Sequence, residues 1–287
     1  MTARRHVQRG AALLLVLWLI TLLAALVGAF ALTARIEQQQ GRVLSRGLAA
    51  DQAARAGLEY ALTRLAADDP ALQWQPDGRP YTWRFHDVDV ELWIVDETGK
   101  VDLNGADASL IAALLQVTGA EPDVALQVAG AIVDWRDGDD LVQVTGGAEA
   151  ADYRSAGRPY GAKNAPFESV AEVEQVLGMT PALFEAIAPY LTIHSRLPTP
   201  DPQFAAAPVL QAMGVDADPI LAGRAAVGAQ LVGALLGGGS GTYSIESQAR
   251  LPEGRTARLR AVVRSGSGAI PGTAYSVLRW EEGASPR

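Results

Sequence analysis

Residues 11–34 read AALLLVLWLITLLAALVGAFALTA, a run of 24 positions without a charged side chain. As a helix that rises about 1.5 Å per residue, this run is about 36 Å long and exceeds the hydrocarbon core of a bilayer, about 30 Å. The ten residues before it, MTARRHVQRG, carry Arg4, Arg5 and Arg9 and no acid. The positive-inside rule therefore predicts a membrane-spanning helix with residues 1–10 in the cytoplasm and the rest of the chain on the other side.

Helical periodicity continues beyond this run, through Arg35–Ala67. Apolar residues recur there at three- and four-residue spacing, at Ile36, Val43, Leu44, Leu48, Ala54, Leu58, Ala61, Leu62 and Leu65. Asp68, Asp69 and Pro70 end the pattern, because proline cannot continue a helix. We therefore expect one helix over 11–67 whose second half is amphipathic. A cleaved secretory signal fits poorly, because its apolar region is only about 7–15 residues long.

The composition excludes several common classes of protein. None of the 287 residues is cysteine, which excludes disulfides, thiolate metal sites and a cysteine nucleophile. The three histidines, His6, His86 and His194, are scattered, so neither a histidine-rich metal site nor a Ser–His–Asp triad is expected. The formal charge of −8 disfavours nucleic-acid binding as the main function. We expect a protein that is not an enzyme.

Strand-like segments lie on both sides of a long helical region. Residues 71–103 predict the first strands of a sheet, because apolar and polar residues alternate from Val88 to Val95, and residues 96–100 predict a hairpin turn. Residues 242–281 contain three more strand-like runs. Strands before and after a helical block imply a sheet interrupted by an inserted domain.

The region 104–235 has helical periodicity with three helix-hairpin-helix pairs, whose turns contain Gly119, Gly178 and Gly214. Gly237–Gly241 predicts a flexible linker back to the strands. The expected fold class is α+β, with a long N-terminal helix packed on an antiparallel sheet and a large inserted all-α domain.

The basic residues 1–10, the glycine that ends them and the apolar segment after it resemble the start of pilins and pseudopilins. The resemblance implies that a prepilin peptidase cleaves between Gly10 and Ala11 and that Ala11 becomes N-methylated. Most members carry Glu at the fifth mature position, where this chain has Leu15. Such a Glu would neutralise the terminal ammonium of an adjacent subunit, since an unpaired charge in an apolar bundle is costly. Leu15 therefore marks, as a hypothesis, a subunit at the tip of a filament; an ordinary signal anchor is the alternative.

Further segments resemble the general secretion pathway protein K family, the large minor pseudopilin of type II secretion. They are Leu92–Asn104 (LWIVDETGKVDLN), Ala131–Asp140 (AIVDWRDGDD), Gly147–Tyr153 (GAEAADY), Ala165–Met179 (APFESVAEVEQVLGM) and Pro189–Ile193 (PYLTI). The chain departs from the family at Pro202–Ala207, where an Asn-Val-Asn-Thr-like stretch is usual, so the geometry of the helical pair over 203–229 is left open.

This resemblance implies a pilin-like helix and sheet with a helical insertion, in a single-pass inner-membrane protein with a periplasmic head. It implies a position at the tip of a short pseudopilus, where the protein starts assembly or controls length for the export of folded proteins across the outer membrane. The implied partners are the other minor pseudopilins, the major pseudopilin, the prepilin peptidase, the inner-membrane secretion platform and membrane lipid, and no nucleic acid.

Acidic residues crowd the end of the first helical pair. Asp134, Asp137, Asp139, Asp140, Glu149 and Asp152 lie within 19 positions. Oxygen-only clusters suit a hard cation such as calcium, and the family resemblance implies calcium binding by Asp137, Asp139, Asp140, Glu149 and Asp152. An EF-hand fits poorly, because Glu149 is the thirteenth residue counted from Asp137 and the sixth is Val142 rather than Gly. A solvated acidic loop is the alternative.

Two other functions remain open from the sequence. A membrane-tethered, competence-type DNA-binding protein would grip phosphates with its helix-hairpin-helix turns. The first turn, residues 118–123, instead has two acids and no base, and the second, residues 178–181, is neutral. A minor pilin of a type IV pilus would keep the same architecture in a different machine, although the acidic motif and the long helical insertion favour secretion.

Overall fold

A computed structural model describes residues 9–69, 71–226, 239–266 and 275–283. The helices in these ranges are α1 (Arg9–Leu65), α2 (Ala108–Val117), α3 (Pro122–Arg136), α4 (Ala150–Ser155), α5 (Pro181–Ile187), α6 (Ala207–Ala212) and α7 (Ala217–Ala226). The strands are β1 (Asp77–Phe85), β2 (Val88–Asp96), β3 (Val101–Asp102), β4 (Leu191–Thr192), β5 (Thr242–Arg250), β6 (Thr256–Ser265) and β7 (Tyr275–Glu282). The predicted α+β class is confirmed.

The helix α1 is 57 residues long. Large apolar side chains from Leu13 to Leu32 are 47–70% exposed, because no other part of the described chain covers this half of the helix. Within the described residues, α1 is the one helix long and apolar enough to cross a membrane. The single long helix predicted from the sequence is therefore present, and it ends at Leu65, just before the acidic pair and Pro70.

Five antiparallel strands form the main sheet, in the order β1-β2-β5-β6-β7. Alternate residues of β2 and β5 point toward α1, so that Val90, Leu92 and Ile245 pack against Ala54 and Leu58 of the helix in one buried cluster. Since β2 and β5 are neighbours in the sheet, the chain leaves the sheet after Asp96 and returns beside it at Tyr243.

The amphipathic half of α1 is shorter than the sequence predicts. Its buried face consists of Ala50, Ala53, Ala54, Leu58 and Ala61. Ile36, Leu44 and Leu48 belong to the same apolar pattern but are 46%, 73% and 60% exposed. The reason is the reach of the sheet, whose β5–β6 turn ends beside Arg46 and Gly47 of the helix.

The two ends of the sheet lie at different heights along α1. Glu253 in the β5–β6 turn pairs with Arg46 at 3.5 Å. At the opposite end, the main-chain nitrogen of Trp74 donates to the carbonyl of Arg64 at 3.1 Å, and that of Asp96 donates to the carbonyl of Pro76 at 2.8 Å. The chain enters the helical region at Asp96, so this region is joined to the end of the sheet remote from the exposed half of α1.

The helical region has its own buried core, to which α2, α3, α5 and α6 contribute. Its first and third predicted pairs are α2–α3 and α6–α7, and the third has this helical geometry despite the departure at 202–207. The second pair differs, because Val170–Gln175 is a 3-10 helix that ends where Val176 takes up extended backbone, with φ −65° and ψ 136°.

Two connections differ from their predicted forms. Residues 96–100 are not a hairpin turn: Glu97–Gly99 is a 3-10 helix, and β3 then pairs in parallel with β4, because Val101 is fully buried in the helical core. The segment predicted as a flexible linker is held at Ser240, whose main-chain nitrogen and hydroxyl donate to Asp96 at 2.6 and 2.7 Å. Residues 237 and 238 of that prediction lie outside the described residues.

Candidate functional site

The acidic loop, residues 137–149, is tied to the helix before it by Asp134. This side chain lies in the last turns of α3 and is fully buried. Its Oδ2 accepts a hydrogen bond from the main-chain nitrogen of Ala148 at 2.8 Å, and its Oδ1 accepts one from that of Gln143 at 3.3 Å. Burial raises the pKa of Asp134 even though both hydrogen bonds act in the opposite direction. The carboxylate therefore fixes the returning half of the loop.

Two glycines bring the loop backbone directly onto α3. A methyl group at Gly130, in the middle of α3, would overlap the carbonyl oxygen of Gly146. Gly146 itself has φ +117°, and a side chain there would lie 2.7 Å from the Cα of Gln127. Such close approach needs residues without a Cβ atom on both surfaces. The backbone of the loop is therefore packed directly against α3 at Gly146.

Glu149 is the most unusual carboxylate of the loop. It is 4% exposed, and among the described residues no hydrogen bond of normal geometry reaches its carboxylate oxygens, although the side chain turns toward the main-chain nitrogens of the first turn of α4. Burial raises the pKa of Glu149, and the negative charges of Asp134, Asp137 and Asp140 raise it further. A buried, unpartnered carboxylate beside like charges is costly, so this position calls for a cation or a proton.

Asp137 and Asn164 contribute further oxygens that lack partners. Oδ1 of Asp137 and Oδ1 of Asn164 are both buried without a hydrogen bond from the described residues. Burial raises the pKa of Asp137, and the charge of Asp139 adds to the rise. Asn164 is also linked to the loop, because its Nδ2 donates to Oδ1 of Asp140 at 3.1 Å. Sequence reasoning missed Asn164, which lies outside the acidic run.

The remaining predicted ligands have local roles in the structure. Oδ1 of Asp139 accepts from the main-chain nitrogen of Leu141 at 2.9 Å. Oδ2 of Asp152 accepts from the main-chain nitrogen of Glu149 at 2.9 Å and so caps α4. Across the described parts of the chain, no three or more His, Asp or Glu side chains are placed to hold a metal ion together as they stand. Calcium binding by the five predicted residues stays a prediction.

A cluster of aromatic rings supports the loop from below. Its members are Trp135, Tyr153, Tyr160 and Phe167. The Tyr153 ring is fully buried, its hydroxyl accepts from the main-chain nitrogen of Leu177 at 3.0 Å, and burial raises its pKa to about 12. These rings hold α3, α4 and the following segments at fixed distances, which positions both flanks of the acidic loop.

A second buried polar cluster joins the helical region to the sheet, and we call it the junction. Glu97 is 2% exposed, and its Oε1 accepts from the Lys100 ammonium at 2.6 Å. The hydroxyls of Thr192 on β4 and Ser244 on β5 also donate to Glu97. Burial would raise the pKa of Glu97, but the Lys100 charge and these hydrogen bonds lower it below its ordinary value. Sequence reasoning missed this role of residues 96–100.

The residues predicted to matter for processing lie at the start of α1. Gly10 and Ala11 are in its first turn. Leu15 follows one turn later and is 66% exposed. Cleavage after Gly10, methylation of Ala11 and the meaning of Leu15 for filament position stay predictions.

A family model described as type II secretion system (T2SS), protein K matches residues 93–196. The type II secretion system protein K of Klebsiella pneumoniae is 31% identical over 268 residues, which cover 80% of this chain and 79% of that relative. Among solved structures, a chain of the GspK-GspI-GspJ complex from the enterotoxigenic Escherichia coli type 2 secretion system matches with a TM-score of 0.54 at 17% identity. This match covers 88% of the chain described here and 99% of the other, and it concerns the fold.

Proposed function

This chain belongs to the type II secretion system protein K family, and from that premise we propose that it is the tip subunit of the pseudopilus. In this role it initiates assembly with other minor pseudopilins or limits filament length, and it catalyses no reaction. The proposal includes a cytoplasmic N-terminus, removal of residues 1–10 by a prepilin peptidase, and a periplasmic head.

The observation that carries the proposal is that the two halves of α1 have different surroundings. Its first half is exposed and apolar, so it can pass from lipid to a bundle of similar helices without uncovering polar groups. Its second half carries the sheet, and the bulky helical region is joined to the sheet end remote from the membrane-spanning half. A subunit stacked above this one would meet the helical region, which favours the terminal position.

The proposed partners rest on the similarity to a solved complex. The chain with the similar fold was solved in a complex with two further proteins, GspI and GspJ. We infer that this chain likewise assembles with other minor pseudopilins. The major pseudopilin below it, the prepilin peptidase, the inner-membrane secretion platform and membrane lipid complete the proposed set of contacts.

The decisive experiment locates the protein in sheared pseudopili and tests Leu15. We expect an immunogold label on the native protein at one end of each filament. A Leu15→Glu variant should instead appear at many positions, because the new carboxylate can pair with the terminal ammonium of an adjacent subunit. Amino-terminal analysis is the control, since both proteins should begin at methylated Ala11.

The matched control variant is Leu13→Glu, which places the same charge on the same exposed helix at another position. It should not spread along the filament, because only the fifth mature residue is placed to meet the ammonium. Native protein that already lines the shaft, or an intact Met1, would contradict the proposed function.

We further propose that calcium binds the acidic loop. Glu149 and Asp137 would hold it, since their buried oxygens lack partners, and Asp139, Asp140 and Asp152 complete the predicted set. When bound, the cation would supply two positive charges that offset only part of the charge of these five carboxylates and reduce their mutual repulsion, so that the loop stays acidic.

Calcium removal should lower the melting temperature of the detergent-solubilised protein. At calcium concentrations of one hundred times Kd, binding stabilises the folded state by about 2.7 kcal/mol, which a chelator abolishes. Glu149→Gln should remove this response. In the chelator, Glu149→Gln should be at least as stable as the native protein, because the raised pKa means that ionised Glu149 destabilises the empty fold at neutral pH.

The control is Glu253→Gln, an exposed carboxylate in the β5–β6 turn, which should keep the full calcium response. An unchanged melting curve after chelation, together with no metal by elemental analysis, would remove calcium from the proposal.

A further inference from the structure

Three aliphatic side chains project from the acidic loop into solvent. Leu141 is 74% exposed, Val142 is 50% exposed and Val144 is 100% exposed. Single exposed aliphatic residues are common on protein surfaces, but three within four positions form a patch that typically marks an interaction site. Cation binding does not explain why these three residues are exposed, because Leu and Val side chains have no oxygen atom that could bind a cation.

The backbone that carries these side chains is held in place by contacts with α3. Asp134 accepts from the nitrogen of Gln143, between Val142 and Val144. Gly146, two residues after Val144, lies against Gly130 of α3. The patch is therefore presented in a defined position, so binding a partner does not require ordering this segment first.

Charge selects the kind of partner. Residues 137–152 contain five acidic side chains and no Lys or Arg, and the whole chain carries −8. A second copy of this chain and an anionic lipid surface are both repelled by such a loop. A protein surface with an apolar pocket and a rim of Lys or Arg is complementary to it in both shape and charge.

We propose that Leu141, Val142 and Val144 form a docking element that inserts into an apolar pocket with a basic rim on a different protein. This inference rests on the proposed function in one respect: the proposed function places the acidic loop at the periplasmic end of the filament, where it can meet other proteins. The identity of the partner is left to the experiment, and its chemistry is what the loop specifies.

A photoreactive benzophenone amino acid at position 144 of the full chain, expressed in secreting cells, tests the proposal. We expect a cross-linked peptide from one other protein, with apolar residues next to Lys or Arg at the point of attachment. Adding Leu141→Ser should reduce the cross-link yield about tenfold, the effect expected for loss of one apolar anchor. Attachment only to lipid or to a second copy of this chain, or no attachment, would overturn the proposal.

A double variant gives an independent readout. Leu141→Ser/Val144→Ser should keep the native melting temperature, because both side chains are exposed, and should reduce export of folded proteins about tenfold. The matched control is Val117→Ser/Val124→Ser, since these valines are 39% and 40% exposed in the same helical region. Equal export by both variants would overturn the docking role. Failure of the tip proposal is read separately, from the label position on sheared filaments of the native protein.

Discussion

Replacing Lys100 by methionine is expected to lower the free energy of unfolding by about 3–5 kcal/mol, because the change leaves Glu97 buried without its counter-charge. The Lys100 side chain is 12% exposed and that of Glu97 is 2% exposed, so water cannot take the place of the lost ammonium. Methionine keeps the length of the side chain and isolates the effect of the charge. Urea unfolding of the detergent-solubilised protein, followed by tryptophan fluorescence, measures the change.

Loss of the Lys100 ammonium should weaken all the contacts of the junction. Lys100 also donates to the hydroxyl of Ser244 on β5 at 2.7 Å, and Ser244 and Thr192 both donate to Glu97. These contacts join the first turn after β2 to the strands β4 and β5. We therefore expect a protease to cleave the variant within residues 96–100, which connect the sheet to the helical region, faster than it cleaves the native protein there.

Two controls separate the buried charge from charge in general. Arg84→Met removes an ion pair with Asp89 that is 3.8 Å long and mostly exposed, and it should change stability by less than about 0.5 kcal/mol. Adding Glu97→Gln to Lys100→Met should recover part of the loss, because no buried charge then remains. A Lys100→Met variant as stable as the native protein would show that Glu97 is not charged and buried as described.

The same pair sets a pH dependence. Because the folded protein lowers the pKa of Glu97, the ionised carboxylate contributes stability above about pH 4.3, the ordinary pKa of a glutamate. That contribution is lost as the pH falls through the lowered pKa. In Lys100→Met the carboxylate is instead easier to protonate, so the stability difference between the two proteins should narrow as the solution is acidified.

The second large effect is expected from Gly130→Ala. Alanine favours the helix by about 1 kcal/mol over glycine, but its methyl group overlaps the Gly146 carbonyl and must push the acidic loop off α3. Displacement breaks the hydrogen bonds from Gln143 and Ala148 to buried Asp134, each worth about 1.5–3 kcal/mol because the acceptor is charged. We expect a net loss of about 2 kcal/mol or more.

Gly138→Ala is the matched control, since a methyl group there meets nothing within 4 Å. Melting of both variants with and without calcium extends the test, because a displaced loop should also lose the proposed calcium response. If Gly130→Ala melts like the native protein, the direct contact between the loop and α3 does not exist.

The sequence is sufficient for the main elements of the fold. The uncharged run 11–34 and the stop at Asp68, Asp69 and Pro70 define α1 almost completely, because helix length follows from local rules. Alternation within 88–95 likewise defines β2. The burial of Leu48 could not be judged, because it depends on where the distant β5–β6 turn ends.

The candidate site was only partly predictable, for a similar reason. The acidic residues are visible in the sequence, but the anchoring role of Asp134 depends on main-chain nitrogens, which have no sequence signature. The junction depends on Thr192 and Ser244, which lie 95 and 147 residues from Glu97. A short polar segment such as 96–100 has the same composition whether it turns back or begins a new domain.

The side-by-side exit and return of the chain at Asp96 and Tyr243 has an evolutionary consequence. Paired residues on adjacent antiparallel strands lie only about 4.5–5.5 Å apart, so everything between them is a loop on one ladder, whatever its size. The segment between Asp96 and Tyr243 can therefore become longer or shorter during evolution while the pairing of β2 with β5 stays the same. An ancestral filament subunit can acquire a large inserted domain at this point without a change in the fold of its sheet.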